Sequence, residues 1–345
     1  MLADDFVPCL ARMRKENPLY GPMAKLGAGV HNSARFSLSP ETMAAAYQLT
    51  HSRPSSVLSA LPMCRPGFDF TWFEWDGRIP GRPDADEDRE DPGIVPSRIG
   101  CFIRAHADNP RYLVVEYFWK HYDPSRGKEP QYTLCPVTVM ADIGIDKEIE
   151  YPTPDITAES AASSIAPSDQ FFRFRNDPEE MRALAELNRR VRFLVSMEQS
   201  PWLNDIAKRH GRDVMKQVID QSYDDVKGEA RILFALLALL NSRNCVEKEP
   251  ADLSKQNKLR RLRGKPALLS YSTVKINLSK ADARRATQQG ATKDEIRRHI
   301  VRGHFKLRKG GVFWWRPFLR GNPALGEVKR EGFVVTGSRK IEGTN

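Results

Sequence analysis

"RIGCFIRAHADNPRYLVVEYFWKHY", residues 98–122, reads as two strands, 98–105 and 111–122, joined by 106–110. Asp108, Asn109 and Pro110 supply the turn, since Asp and Asn side chains bond their own backbone and proline presets φ. Upstream, "FDFTWFEWDG" (68–77) alternates, with Phe68, Phe70 and Trp72 on one side and Thr71, Phe73 and Trp75 on the other. Aromatics on both faces predict a strand covered on both sides. A third strand is expected in "YTLCPVTVMADI" (132–143). The expectation is an α+β fold with an antiparallel meander in its N-terminal domain.

Around this sheet the chain divides. Residues 1–60 read as helical, with Ser39 as an N-cap and Pro40 at the first helical position. "PGRPDADEDREDPG" (80–93) reads as a mobile acidic loop, its flanking prolines and irregular spacing arguing against a metal site. A Pro-, Ser- and Thr-rich stretch, 146–175, reads as a linker after an acidic body, 1–145. Residues 176–250 are expected to be helical. Asp177, Pro178 and Glu180 approximate a capping box, and Met181, Leu184, Leu187, Val191 and Leu194 form one apolar stripe. Further helices are expected over 203–221 and 225–241, the latter apolar nearly all round through "ILFALLALL" and so central to the core.

Charge is unevenly spread. The chain of 345 residues carries +10 overall, yet residues 251–345 hold 23 Lys and Arg against 7 Asp and Glu, or +16, leaving −6 on the first 250. An acidic body with a basic C-terminal module, 251–345, points to a polyanionic partner: nucleic acid, RNA or single-stranded DNA. The alternatives are a solvated basic face or one that docks on an acidic protein. Five scattered cysteines with no CxxC spacing suit reduced thiols and no structural metal. Neither a secretory signal nor an apolar run long enough for a membrane span is visible. The expected location is the cytoplasm, with no cofactor, no metal and no membrane partner.

Within the basic module, "DLSKQNKLRRLRGKP" (252–266) predicts a short helix ending at Gly264, with Lys258, Arg260, Arg261 and Arg263 as nucleic-acid contacts. A half-buried strand follows, with Ser272, Val274 and Ile276 on one face. "RRHIVRGHFKLRKGGVFWWRPFLRG" (297–321) reads as a β-hairpin turning at Gly310 and Gly311. In a single extended strand over 299–308, Arg302, His304, Lys306 and Arg308 share a face. Trp314 and Arg316 on the return strand complete the expected contact set, suited to phosphates and stacked bases. The structural alternative for each tryptophan is the core, and for His299 and His304 a satisfied structural histidine. A catalytic reading would use His304, flanked by cations, in metal-independent RNA cleavage. No second acid or base is fixed on the same face by spacing, so the reading leans away from an enzyme.

This ending resembles an uncharacterised group of phage- and plasmid-borne proteins that includes a large type V anti-CRISPR protein. The residues that carry the resemblance are His299, Arg302, Gly303, His304, Phe305, Trp315 and Pro317. The resemblance implies a mobile-element protein in a bacterial host cell, with an anti-defence or gene-expression-control role and a host or defence-system protein as a further partner. It supplies no catalytic mechanism.

Overall fold

A computed structural model describes residues 1–16, 20–78, 96–122, 130–144, 177–196, 199–242, 246–276, 297–301, 304–308, 311–315, 318–320 and 322–327. Helices α1 (Leu2–Glu16) and α2 (Gly21–Asn32) precede strand β1 (Ala34–Leu38). Helices α3 (Pro40–Ser52) and α4 (Pro54–Ala60) lead to β2 (Phe70–Trp75), β3 (Arg98–Ala105), β4 (Tyr112–His121), β5 (Gln131–Leu134) and β6 (Val137–Asp142). Next come α5 (Pro178–Arg189), β7 (Val191–Val195), α6 (Ser200–His210), α7 (Arg212–Leu240), β8 (Val246–Pro250), α8 (Ser254–Leu262) and β9 (Ser272–Ile276). Five short strands close the described chain: β10 (Arg297–Val301), β11 (His304–Arg308), β12 (Gly311–Trp315), β13 (Phe318–Arg320) and β14 (Asn322–Glu327).

The expected α+β class holds, but the main sheet is mixed. Its nine strands run β7-β6-β4-β3-β2-β1-β9-β8, with β5 also paired to β4. The meander β2-β3-β4 is antiparallel, whereas β1 pairs in parallel with both β2 and β9. The sheet also crosses the boundaries expected at 176 and 251, because β7, β8 and β9 are all members of it.

Both faces of the meander are covered, as its aromatics require. Trp72, Phe102 and Phe118 pack with Leu2, Phe6 and Leu10 of α1 and Met23, Leu26 and Val30 of α2. Phe73, Trp75, Cys101, Tyr117 and Trp119 pack on the other side with α3, α4 and the run Ile232–Leu239 of α7. A glycine makes the first contact fit: a Cβ on Gly100 would lie 2.7 Å from Trp72 Cη2, inside van der Waals contact. Burial pushes the thiols of Cys64 and Cys101 far above their usual range, and that of Cys135 up to about 12. Among the described residues no helix is long and apolar enough to cross a membrane.

Local signals fared unevenly. Ser39 Oγ accepts from Thr42 N–H at 3.3 Å and caps α3 as expected. Asp177 accepts from Glu179 N–H and Glu180 N–H and caps α5. The capping box does not close: Glu180 turns across to Arg53 Nη1 (2.9 Å) and Ser55 N–H (2.8 Å). The helical stripe expected to run on to Leu194 stops at Arg189, and Val191–Val195 is a strand paired with β6. The helices expected at 203–221 and 225–241 are bounded differently. Gly211, at φ 93°, breaks the chain between α6 and a single 29-residue α7. The first 60 residues contain β1 as well as helices. The acidic loop 80–93 and the linker 146–175 lie outside the described residues.

Two outcomes follow. Gly100→Ala should destabilise the protein by about 1–3 kcal/mol through overpacking against Trp72, read as a lower urea midpoint with unchanged slope. At the sheet's far end Asp142 accepts Arg111 Nε and Nη2, both at 2.8 Å, and Gly144 N–H at 2.8 Å. Burial alone would raise this carboxyl, but those bonds and Arg190 nearby hold it below its usual range. Its stabilising contribution is therefore complete above about pH 4 and lost as pH falls through the depressed folded value. Asp142→Asn should lower stability by about 1.5–3 kcal/mol near neutrality and flatten the decline in urea midpoint towards about pH 3.

Candidate nucleic-acid interface

The basic helix α8 sits in the connection between β8 and β9, which pair antiparallel with Pro250 opposite Ser272. Ala251 N–H donates to Tyr271 O at 3.0 Å and closes the base of the excursion. A nine-residue helix is too short to persist in water by itself. Here the returning chain holds it: Leu268 N–H donates to Asn257 Oδ1 (2.7 Å) and Arg260 Nε to Pro266 O (2.7 Å). Gly264, at φ 63°, ends it as expected. Leu269 N–H then donates to Asp4 Oδ1 at 2.8 Å, tying the excursion to α1.

Helix α8 buries none of its residues. Lys255, Lys258, Arg261, Arg263 and Lys265 are exposed and Arg260 is half-buried. None of the six meets a carboxylate among the described residues, whereas Lys275, on β9 in the same module, pairs with Glu249 at 2.8 Å. Like charges three or four positions apart cost an isolated helix about 0.2–0.5 kcal/mol per pair, and the loop contacts offset that cost. Leu259 and Leu262 are exposed beside them, at 54% and 76%. The four cations expected on this helix and its end, Lys258, Arg260, Arg261 and Arg263, are thus brought together.

The hairpin differs from its expectation. The strand expected over 299–308 is two strands with different partners: β10 pairs with β13 and β14, and β11 with β12 alone. In the β11–β12 register, His304 stands opposite Trp315, Phe305 opposite Trp314 and Lys306 opposite Phe313. Residues opposite one another share a face, so Trp314 goes with Phe305 into the core, at 5% and 6% exposed. Their rings meet edge to face at 5.1 Å. Phe305 N–H donates to Ser56 Oγ at 2.8 Å, docking the hairpin on α4. Trp314 is therefore a core residue, not a contact.

The aromatic beside the cations is Trp315, with Lys306 Nζ 4.4 Å from its ring centroid. Lys306 is exposed as expected and Trp315 half-buried. His299 lies in β10, and His304 and Arg308 are placed in β11 by register alone. Arg302, Gly303, Arg316 and Pro317 lie outside the described residues.

A feature the sequence did not announce lies at the foot of α8. Arg260, Leu268 and Tyr271 form one wall of a polar cleft of ≈ 360 Å³, and Met1, Leu2, Asp4, Asp5, Ser37, Glu74, Arg98 and Lys120 form the rest. Glu74 is fully buried. It accepts from Leu2 N–H (2.9 Å), Trp72 Nε1 (3.0 Å) and the Arg98 guanidinium. Its position in an aromatic strand was legible; its partners, on α1 and β3, were not. Burial would lower Lys120, but Asp5 Oδ2 at 3.4 Å holds it above its usual value.

Compared with family models, with curated proteins and with solved structures, the chain matches none.

The hairpin assignments separate by substitution. Trp314→Ala should cost about 3–5 kcal/mol of stability, as truncation of a buried tryptophan does. Lys306→Ala should stay within about 0.5 kcal/mol. Thermal melts of the two variants compare them directly, and equal losses would reverse the faces assigned here.

Proposed function

We propose that this protein binds single-stranded nucleic acid, RNA or single-stranded DNA, through the cationic surface of α8, with Lys306 and Trp315 of the hairpin as a second contact. The observation that carries the reading is α8 itself: six cations at 255–265 without carboxylate partners among the described residues, on an excursion held by side chain–backbone bonds of its own. Uncompensated cations at fixed spacing gain most from a polyanion, which relieves their mutual repulsion and releases its own counterions. A lysine stacked on a half-buried tryptophan suits a phosphate next to a base. The resemblance of the C-terminal motif to phage- and plasmid-borne proteins adds a role in anti-defence or in control of host gene expression, and that part rests on the resemblance alone.

The exposure of Leu259 and Leu262 favours a second reading, an adaptor whose basic helix docks on an acidic protein partner. Salt titration distinguishes the two. Binding of a short RNA to the full chain should weaken with a log–log slope of roughly −3, as four or five neutralised phosphates give for single strands. Replacing Lys258, Arg261 and Arg263 together by Gln should remove roughly 2 from that slope without lowering the melting temperature. Binding that ignores salt, or that survives the triple substitution unchanged, would sink the nucleic-acid reading. Loss of a protein partner on Leu259→Ser and Leu262→Ser, with RNA unbound throughout, would establish the adaptor.

A further inference from the structure

We propose that the cleft at the foot of α8 binds a phosphate monoester, the terminal phosphate of a strand laid along α8 or the phosphate of a free mononucleotide. The first source rests on the nucleic-acid reading above; the second does not.

The cleft contains three cationic and three acidic side chains and the Met1 amine, so charge counting alone says little. What each group already does says more. Glu74 already accepts from Arg98, Leu2 N–H and the Trp72 indole. Asp4 accepts from the Met1 amine (2.8 Å) and from Leu269 N–H. Asp5 holds Lys120. The carboxylates are thus committed to the walls.

The guanidinium groups are not. Arg98 is fixed through one nitrogen, Nη2, which reaches Glu74 and, at 3.5 Å, Ser37 Oγ. Its Nε and Nη1 make no hydrogen bond to a described residue, although Asp76 lies near enough to feel its charge. Arg260 is fixed through Nε on Pro266 O, leaving both of its terminal nitrogens. Lys120 is steadied by Asp5 and by the Tyr132 ring, 5.3 Å away. Two anchored guanidinium groups, one from the sheet and one from the basic helix, therefore border the same space with an ammonium and the hydroxyls of Ser37 and Tyr271.

That donor set matches a monoester better than a diester. A monoester offers three terminal oxygens and a charge near −2 at neutral pH, enough acceptors for two guanidinium forks and a lysine. A diester within a strand offers one charge and two free oxygens. The volume of ≈ 360 Å³ lies at the small end for ligand pockets and suits one nucleotide, not a duplex. Because Arg260 belongs both to α8 and to the cleft, a strand following the helix would reach the cleft by its end.

The test compares the affinity of the full chain for one short RNA carrying a 5′-phosphate, a 3′-phosphate or hydroxyls at both ends, with a nucleoside monophosphate titrated separately. One phosphorylated form should bind about tenfold or more tightly than the hydroxyl form, as charge-assisted hydrogen bonds of this number allow. Arg260→Gln should bring that ratio to about one, and Arg98→Lys, which keeps a cation for Glu74, should reduce it. Lys258→Gln should weaken all forms together and leave the ratio alone. Nucleoside monophosphate binding that needs Arg260, with no RNA bound, would support the cleft with a free nucleotide as its ligand while the nucleic-acid reading fails. RNA bound equally with every end, and no monophosphate bound, would overturn the cleft and leave that reading standing. A phosphate preference untouched by both arginine substitutions would also overturn the cleft, and binding of neither ligand would overturn both.

Discussion

Five consecutive residues of β3, Ile99 to Ile103, are shut off from solvent on both faces of the sheet. A strand in that position must be apolar in both registers, and its neighbours must cover it twice. The aromatic pattern of β2 and β4 satisfies this from the sides, α1 and α2 from above and α7 from below. Burying that apolar surface stabilises the fold by roughly 25 cal/mol per Å². The two-sided layer also dictates where charge can go. Glu74, facing the α1 side in this strand environment, survives burial because Arg98 and two N–H groups meet it.

The basic surface depends on the same layer. Helix α8 is too short to fold alone and contributes no buried side chain. It persists because the paired strands β8 and β9 close the base of the excursion that carries it and because Leu269 is pinned to α1 by Asp4. The cationic excursion is thus an outgrowth of the core, not a separate module tethered to it. The hairpin tells the same story from the other face, where Phe305 and Trp314 enter the core formed by α3, α4 and α7.

Much of this was legible in the sequence where one period dominated. The meander, the caps at Ser39 and Asp177, and the basic helix with its Gly264 terminus all follow from local chemistry. Strand β7 was hidden because Val191 and Leu194 continue the helical spacing of α5, and only pairing with β6 decides against it. Strand β1 is five residues between two helices, with no alternation long enough to read. Trp314 was misassigned for a related reason. Parity separates it from Trp315, but only the β11–β12 register says which of the two accompanies Lys306. The cleft was invisible because its walls come from α1, β1, β2, β3, β4 and the α8 excursion, and no spacing encodes such a meeting.

Strand β9 lies between β1 and β8, so residues 34–38 acquire their second neighbour only from residues 272–276. Pairing so distant in the chain carries a high loop-closure cost and slows folding. During synthesis from the N-terminus, β1 stands as an open sheet edge until residues 272–276 have been made. Helix α8 lies in the same β8–β9 connection, and its tie to α1, from Leu269 to Asp4, joins residues as distant in the chain. The cationic excursion is therefore joined to the N-terminal helix late, once the residues of the aromatic layer have all been made.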